Sequence, residues 1–312
     1  MGMIRFKAAL GLCLALWSIG AYAVPISCNA KPEVKQRPII QILTPRPNSS
    51  LRARHVVVTG TYSGPTNTGV TVNGVVAAKD GHRFIANTVP LQSGSNTITA
   101  VATTPSGTAE QSQVTVQAAE PAALELKATP TGVGIAPYKT SFKILYTGKA
   151  KIQSIAMDFN GDGVADLVTS DPKSKLVFTY ASPGVFPAQV TITDIQGQTH
   201  QALYAVQVID SAAADAQFQA IYSELIGALA CEDPERASSY MTIAARDRYK
   251  TVFGQLKSRL RKITDSLSPL QRSLITAGYA EYGINRTIDG VNRLFLVYFI
   301  QDSDGVWRID SM

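Results

Sequence analysis

The sequence predicts a mainly β protein in which two β-sandwiches precede a C-terminal α+β domain. Three observations indicate this. Residues 38–208 contain short segments rich in β-branched residues, separated by turns of Gly, Pro and Asn. Helical periodicity first appears after Ser211. The chain has 312 residues, 45% of them hydrophobic and 17% charged, which suits two or three packed domains and excludes a disordered protein.

Charge and metal-binding residues exclude several classes of function. The 29 basic residues exceed the 23 acidic ones, but the excess is spread along the chain and predicts no nucleic-acid surface. Three cysteines exclude a four-cysteine zinc site, and three histidines leave little for a histidine-built metal centre. The sequence also lacks the G-x-S-x-G, H-E-x-x-H and phosphate-loop motifs. We therefore expect no enzyme.

Residues 1–23 have the pattern of a secretory signal peptide. Arg5 and Lys7 are followed by the apolar run 8–19, and Ala21-Tyr22-Ala23 supplies an A-x-A cleavage site. We expect cleavage after Ala23 and an exported mature protein that is periplasmic, secreted or on the cell surface. The mature chain has no other segment that could span a membrane.

Two alternatives to cleavage of residues 1–23 are disfavoured by the sequence. An uncleaved membrane anchor is disfavoured by the small residues of the cleavage site and by Pro25. A lipid-modified Cys13 is disfavoured because Leu12, rather than a small residue, precedes it.

Residues 24–37 are polar and predict a linker that contains Cys28. Cys28 and Cys231 could form a disulfide, which would be worth up to about 5 kcal/mol in the chain-entropy model. The sequence gives no distance between them, so we favour a free Cys28 and a buried Cys231 at a helix end.

Residues 38–118 predict the first sandwich. Its strand-like segments are PIIQIL, HVVVTGTY, GVTVNGVVA, HRFIANTV, NTITAVAT and QVTVQ. Asn73-Gly74 suits a two-residue hairpin turn, which needs two positive φ angles. GVTVNGVVA, FIANTVPL and GSNTITAVA resemble the bacterial immunoglobulin-like modules of exported surface proteins. That resemblance implies a spacer or binding module.

Residues 124–209 predict a second sandwich after the short linker 119–123. ATPTGVGIAPYKTSF, MDFNGDGVAD, FTYASPGVFPAQVTITDIQG and YAVQV resemble a polycystic-kidney-disease-type (PKD) domain. The resemblance implies a seven-stranded extracellular sandwich that acts as a spacer or contacts proteins or polysaccharides. The usual Trp-Asp-Phe of the family is here Met157-Asp158-Phe159, which weakens any aromatic binding role.

Residues 211–312 predict helices followed by a meander of strands. Apolar residues from Phe218 to Leu229 recur at helical spacing, and Asp210 or Ser211 could cap that helix. A second helix is expected over 242–264. The strands are expected in ITAGYAEYGINRTI, RLFLVYFIQ and VWRIDSM.

The ending LFLVYFIQDSDGVWRIDSM resembles nuclear-transport-factor-like (cystatin-like) folds. That resemblance implies a cone in which a curved sheet wraps a helix and forms a pocket. Aromatic residues could line a pocket for a small apolar ligand, or they could form the core: Tyr279, Tyr282, Phe295, Tyr298, Phe299 and Trp307. Glu281 and Asp310 are the carboxylates that an enzyme could use there.

The segment DFNGDGVAD predicts a calcium loop. Oxygen ligands at alternate positions suit a hard cation that takes six to eight oxygens. The candidate ligands are Asp158, Asn160, Asp162, the Val164 carbonyl and Asp166. Thr169 replaces the Glu of an EF-hand, so we expect a structural Ca²⁺ site with an affinity of roughly 10⁻⁴–10⁻³ M. The alternative is a solvated turn between two strands.

Residues 246–262 carry seven basic residues and one acid, Asp247. Such a helix could lie on an anionic membrane or partner, but we favour a solvated helix face because residues 211–312 are neutral as a whole.

The sequence is compatible with three functions. The preferred one is an exported non-catalytic protein whose sandwiches form a stalk or recognition surface and which binds a protein, a polysaccharide or a small ligand. The second is a hydrolase or isomerase that uses a C-terminal pocket. The third is a structural subunit whose edge strands pair with neighbours.

Overall fold

A computed structural model describes Cys28 and residues 36–119, 124–131, 133–276 and 278–312. The predicted signal peptide 1–23 and most of the linker 24–37 lie outside the described residues. The predicted fold class is confirmed, because the chain is mainly β with several sheets and a few helices.

The first sandwich packs two sheets around an aliphatic core. One sheet has the order β1-β3-β7-β6 and the other β2-β9-β8-β4-β5. The strands are β1 (Ile39–Thr44), β2 (Ser50–Leu51), β3 (His55–Ser63), β4 (Gly69–Val72), β5 (Val75–Val76), β6 (Ala78–Asp80), β7 (Arg83–Pro90), β8 (Gly94–Thr103) and β9 (Ala109–Ala118). Asn73 and Gly74 join β4 to β5 with φ angles of 46° and 82°, as a two-residue turn requires.

The second sandwich pairs a sheet of order β10-β12-β15 with one of order β11-β17-β16-β13-β14. The strands are β10 (Leu124–Thr129), β11 (Val133–Ile135), β12 (Tyr138–Tyr146), β13 (Ile152–Asp158), β14 (Leu167–Thr169), β15 (Leu176–Tyr180), β16 (Gly184–Asp194) and β17 (Thr199–Ile209). Met157 lies in the core and is fully buried.

The C-terminal domain sets helices against an antiparallel sheet of order β18-β19-β20-β21. Its elements are α1 (Ser211–Ala230), α2 (Pro234–Ser239), α3 (Arg246–Gln255), α4 (Leu260–Thr264), β18 (Gln271–Thr276), β19 (Tyr279–Ile288), β20 (Val291–Gln301) and β21 (Trp307–Ser311). Asp210 caps α1, because its side chain accepts a hydrogen bond from the Ala213 N–H at 2.7 Å.

Two predicted elements of this domain were wrong in extent. The helix expected over 242–264 breaks at Leu256, whose backbone leaves the helical region, and a short 3₁₀ turn follows. Leu260, beyond the break, lies in the core, where it is 2% exposed. The strand expected in ITAGYAEYGINRTI is the end of β18 and all of β19, because Gly278 turns the chain with a φ of 74°.

A disulfide joins Cys28 to Cys231, so the expectation of free thiols was wrong. The two Cα atoms lie 5.2 Å apart, although the residues are 203 positions apart in sequence. Cys231 sits at the end of α1 and therefore fastens the segment before the first sandwich to the C-terminal domain. The bond closes a covalent loop that contains both sandwiches.

Hydrogen bonds join the first sandwich to both of the other units. Asn67 of the first sandwich donates to the Trp307 carbonyl at 2.9 Å and accepts from the Trp307 N–H at 3.0 Å. Asn87 bonds both backbone groups of Ala205 in the second sandwich, at 2.7 and 2.9 Å. In each neighbouring unit, one asparagine amide thus bonds both the N–H and the carbonyl of a single residue, as a paired strand would.

Gly69 allows the first sandwich to approach the C-terminal domain closely. A Cβ atom at this position would overlap the Asp304 carbonyl and the backbone of Gly305. A glycine is therefore required where β4 begins, next to the turn between β20 and β21.

We expect Asn67→Gly to lower the free energy of unfolding by about 1–3 kcal/mol, because it leaves a buried N–H and carbonyl of Trp307 without partners. Glycine keeps the positive φ of 66° at this position, so backbone strain does not contribute. Denaturant unfolding measures the change. Asn67→Asp retains the acceptor and loses the donor, so its free energy of unfolding should lie between those of the wild type and Asn67→Gly. Equal stability of all three proteins would contradict the role of this contact.

Candidate binding cleft and calcium loop

A cleft of about 450 Å³ separates the two sandwiches. One wall is the outward face of the sheet β1-β3-β7-β6, and the other is the outward face of β16 and β17. The lining residues are Leu43, Thr44, Val57, Thr59, Gly60, Ala78, Asp80, Arg83, Phe84, Ile85, Val185, Pro187 and Leu203. The volume is within the range of small-molecule and side-chain binding pockets.

The walls of the cleft are mainly aliphatic. Val57 and Ile85 face Val185 and Leu203 from the opposite sandwich. The two faces meet where Asn87 bonds Ala205 and where the Gln207 side chain donates to the Lys79 carbonyl at 2.9 Å. Asp80 and Arg83, paired across β6 and β7, supply charge to the lining. The cleft can therefore accept apolar groups and orient a polar one.

The predicted calcium ligands lie together in the loop between β13 and β14. Asp158 accepts from the N–H groups of Gly161 and Gly163, at 2.6 and 2.8 Å. Asp166 accepts from the Phe159 N–H at 2.7 Å. These carboxylates therefore hold the loop backbone in place.

Asp162 and Asn160 bond each other. The Asn160 side chain donates to Asp162 at 2.9 Å, and Asp162 also accepts from the Val164 N–H at 2.8 Å. The Val164 hydrogen bond and then the Asn160 hydrogen bond lower the pKa of Asp162. Asp162 is thus held as a carboxylate, the form that a cation needs.

The fit to calcium is incomplete in this conformation. Across the described ranges, no three His, Cys, Asp or Glu side chains converge on a point that could hold a metal ion. The loop has the oxygen donors that calcium prefers, but they face loop amides. Calcium binding stays a prediction.

The loop lies beside the cleft. A Cβ on Gly161 would overlap Pro187, which lines the cleft wall. Tyr180 donates to the Phe159 carbonyl at 2.8 Å. Burial, followed by the charges of Asp166 and Asp158, raises the pKa of Tyr180, so this hydroxyl remains a donor that supports the loop.

The aromatic residues of the C-terminal domain divide between two faces of the sheet. Tyr282, Phe299 and Trp307 pack on Phe218 of α1 with ring centroids 4.9–5.9 Å away. These rings fill the concave face to which the sequence assigns a ligand pocket. Tyr279 and Tyr298 stack on the other face at 5.8 Å, and Phe295 is 38% exposed.

The candidate carboxylates lie away from that aromatic core. Glu281 accepts from Ser273 at 2.9 Å and from the Tyr279 hydroxyl at 3.3 Å, on the face opposite Tyr282. Asp310 accepts from Thr242 at 3.0 Å. The structure therefore does not bring them together as an acid–base pair.

Lys79 is a buried lysine that the sequence analysis did not single out. Its ammonium donates to the Thr68 carbonyl at 2.6 Å, and no ion pair in the described part of the chain includes it. Burial lowers the pKa of Lys79 to about 8. The sequence signal is weak, since an isolated lysine between Ala78 and Asp80 suggests a solvated turn.

Comparisons with known proteins find similarities among solved structures. No family model and no curated protein matches the sequence. Fibronectin(III)-like modules of Clostridium thermocellum CbhA match at 14% identity over 27% of this chain and 93% of theirs, with a TM-score of 0.23. The Ig1-2 module of the Drosophila receptor protein tyrosine phosphatase DLAR matches at 13% identity over 56% and 100%, with a TM-score of 0.24.

A Bacteroides ovatus glucan-utilisation protein, SGBP-B, in complex with a mixed-linkage heptasaccharide, matches at 15% identity and a TM-score of 0.19. The alignment covers 56% of this chain and about half, 48%, of that protein. Likenesses of this strength establish neither a family nor a function for this chain. The resemblances to PKD-type and nuclear-transport-factor-like domains stay predictions. No described helix has the length and apolar character of a membrane span.

We expect millimolar calcium to raise the melting temperature, because an ion held by the oxygen side chains of the folded loop would stabilise the folded state. Asp162→Ala should abolish the rise. Asp171→Ala, an acid in the turn just beyond β14, is the matched control and should keep it. Thermal unfolding with calcium and with a chelator measures the effect, and identical wild-type curves would remove the calcium site.

We expect the free energy of unfolding to increase between about pH 8 and about pH 10.5, because Lys79 has a lower pKa in the folded chain than in the unfolded chain. Over this interval the folded chain has lost the Lys79 proton while the unfolded chain keeps it at its ordinary pKa, so stability increases with pH. Lys79→Met should flatten that increase, whereas Lys175→Met, at an exposed site, should not. Denaturant unfolding at several pH values tests this, and parallel curves for Lys79→Met and wild type would refute it.

Proposed function

We propose that this chain is an exported, non-catalytic binding protein that holds apolar side chains of a protein partner in the cleft between its two sandwiches. The observation that carries the proposal is the aliphatic lining of a cavity of about 450 Å³ whose two walls belong to different sandwiches. An apolar group buried there would gain roughly 1.5–3 kcal/mol per large side chain.

Export is supported by two independent features. The N-terminal 23 residues have the pattern of a signal peptide. The bond between Cys28 and Cys231 is typical of proteins that fold in an oxidising compartment.

The chemistry of the cleft favours a protein partner over a polysaccharide. The aromatic ring in the lining is that of Phe84, which is 2% exposed and belongs to the core. Sugars carry many hydroxyl groups that would lose hydrogen bonds to water against aliphatic walls, whereas aliphatic side chains would not. Asp80 and Arg83 would bond polar groups of the partner beside the apolar contact.

The contacts between the sandwiches support a preformed site. Asn87 and Gln207 bridge the two units beside the cleft, so the spacing of its walls is fixed by hydrogen bonds. A preformed cavity binds without the cost of ordering its walls.

The first test uses the environment-sensitive dye anilinonaphthalene sulfonate as a probe of the cleft. We expect the wild type to enhance dye fluorescence and Leu203→Gln to weaken dye binding by about tenfold, because it places a polar group in the aliphatic wall. Ile195→Gln is the matched control, since Ile195 is 63% exposed in the β16–β17 turn outside the cleft. Equal dye binding by both variants and the wild type would mean that the cleft is not the binding site.

A further inference from the structure

The far end of the β19–β20 hairpin projects from the C-terminal domain. Residues 291–296 are all exposed although neighbouring residues of a strand point to opposite faces, so both faces of the hairpin meet solvent here. Four of the six are large and apolar, with exposures between 38% and 63%: Val291, Leu294, Phe295 and Leu296. An exposed apolar cluster of this kind marks an interaction surface.

Basic residues surround the same end of the domain. Leu267, which follows α4, forms an antiparallel bridge with Arg286 of β19, and the Ser268 N–H donates to the Asn285 carbonyl at 2.9 Å. These bonds hold the segment that follows α4 against β19, at the base of the hairpin. The cations of residues 257–268 and of the hairpin are Lys257, Arg259, Arg261, Lys262, Arg286 and Arg293.

These six cations are not neutralised within the described chain. None of them takes part in an ion pair there. The buried Nε of Arg286 has no hydrogen-bond partner. Asp265 and Asp289 are the acids of the two segments, so the cluster keeps a clear positive excess.

We propose that this end of the C-terminal domain docks on an anionic phospholipid surface. The apolar tip of the hairpin enters the headgroup region, while the cations bond lipid phosphates around it. Peripheral binding of this type combines buried apolar area with electrostatic attraction to anionic lipids. Leu260, 2% exposed, anchors the basic segment, so the cations are presented from a fixed support.

The choice of a bilayer over a protein groove comes from the shape and charge of the surface. Apolar side chains occupy both faces of a thin projecting hairpin, and a bilayer interface contacts both faces at once. The surrounding charge has one sign, which complements a phosphate layer. The lining of the inter-sandwich cleft shares no residue with this surface, so binding at the cleft and binding to a bilayer can be tested independently.

Sedimentation with vesicles tests the proposal. We expect the protein to bind vesicles that contain phosphatidylglycerol, to ignore pure phosphatidylcholine, and to dissociate as salt rises. The combined variant Arg259→Gln, Arg261→Gln and Lys262→Gln should bind about a hundredfold more weakly, since each cation near an anionic bilayer contributes about fivefold. Leu294→Asn with Phe295→Asn should weaken binding by about tenfold.

Matched controls place the same changes on the second sandwich. Lys149→Gln, Lys173→Gln and Lys175→Gln remove three exposed cations, and Val168→Asn replaces an apolar residue that is 67% exposed; both should bind as the wild type does. Melting curves verify that each variant is folded, and Arg293→Gln provides a single milder change that should weaken binding about fivefold. The proposal is overturned if the wild type stays in the supernatant, if the hairpin variant binds normally, or if the protein binds soluble polyphosphate but not vesicles.

Discussion

Two strand edges in this protein are closed by asparagine side chains, and the arrangement of its three units depends on that closure. β17 pairs with β11 only from Gln207 onward, so the backbone groups of Ala205 would be left at a free edge. β21 is the outer strand of its sheet, with Trp307 at its start. The amide of Asn87 satisfies Ala205, and the amide of Asn67 satisfies Trp307. An amide carries one acceptor and a donor in nearly the geometry of a peptide unit, so it substitutes for a missing strand.

This closure determines where the protein can bind something else. Asn87 joins the two sandwiches, and the aliphatic cleft lies beside this contact, between the outward faces of their sheets. The C-terminal domain has two ends of different character. Its β20–β21 turn is buried against Gly69 and held by Arg308, which makes a bidentate pair with Asp304 at 2.7 and 2.8 Å. The opposite end carries the exposed tip of the β19–β20 hairpin. It also carries Arg286 and Arg293, which have no ion-pair partner in the described part of the chain.

Errors at the level of single elements have identifiable causes. The α3–α4 segment has apolar residues at helical spacing throughout, so periodicity alone predicts one helix and gives no signal for the break at Leu256. Gly278 in ITAGYAEYGINRTI carried a local signal for the hairpin turn between β18 and β19 that the β-branched pattern outweighed. In the DFNGDGVAD loop the spacing of oxygen ligands was visible, whereas the direction of each carboxylate depends on which loop amide it meets.

Features that depend on neighbours a few residues apart could be predicted from the amino-acid sequence. The fold class, the Asn73-Gly74 turn, the Asp210 cap and the buried face of α1 belong to this group, since periodicity and local hydrogen bonds decide them. The pairing of the cysteines, the asparagine contacts, the cleft and the position of the cations relative to the hairpin tip are visible only in the folded chain. These join residues as far apart as 240 positions, and no local pattern encodes which distant backbone a given side chain will meet.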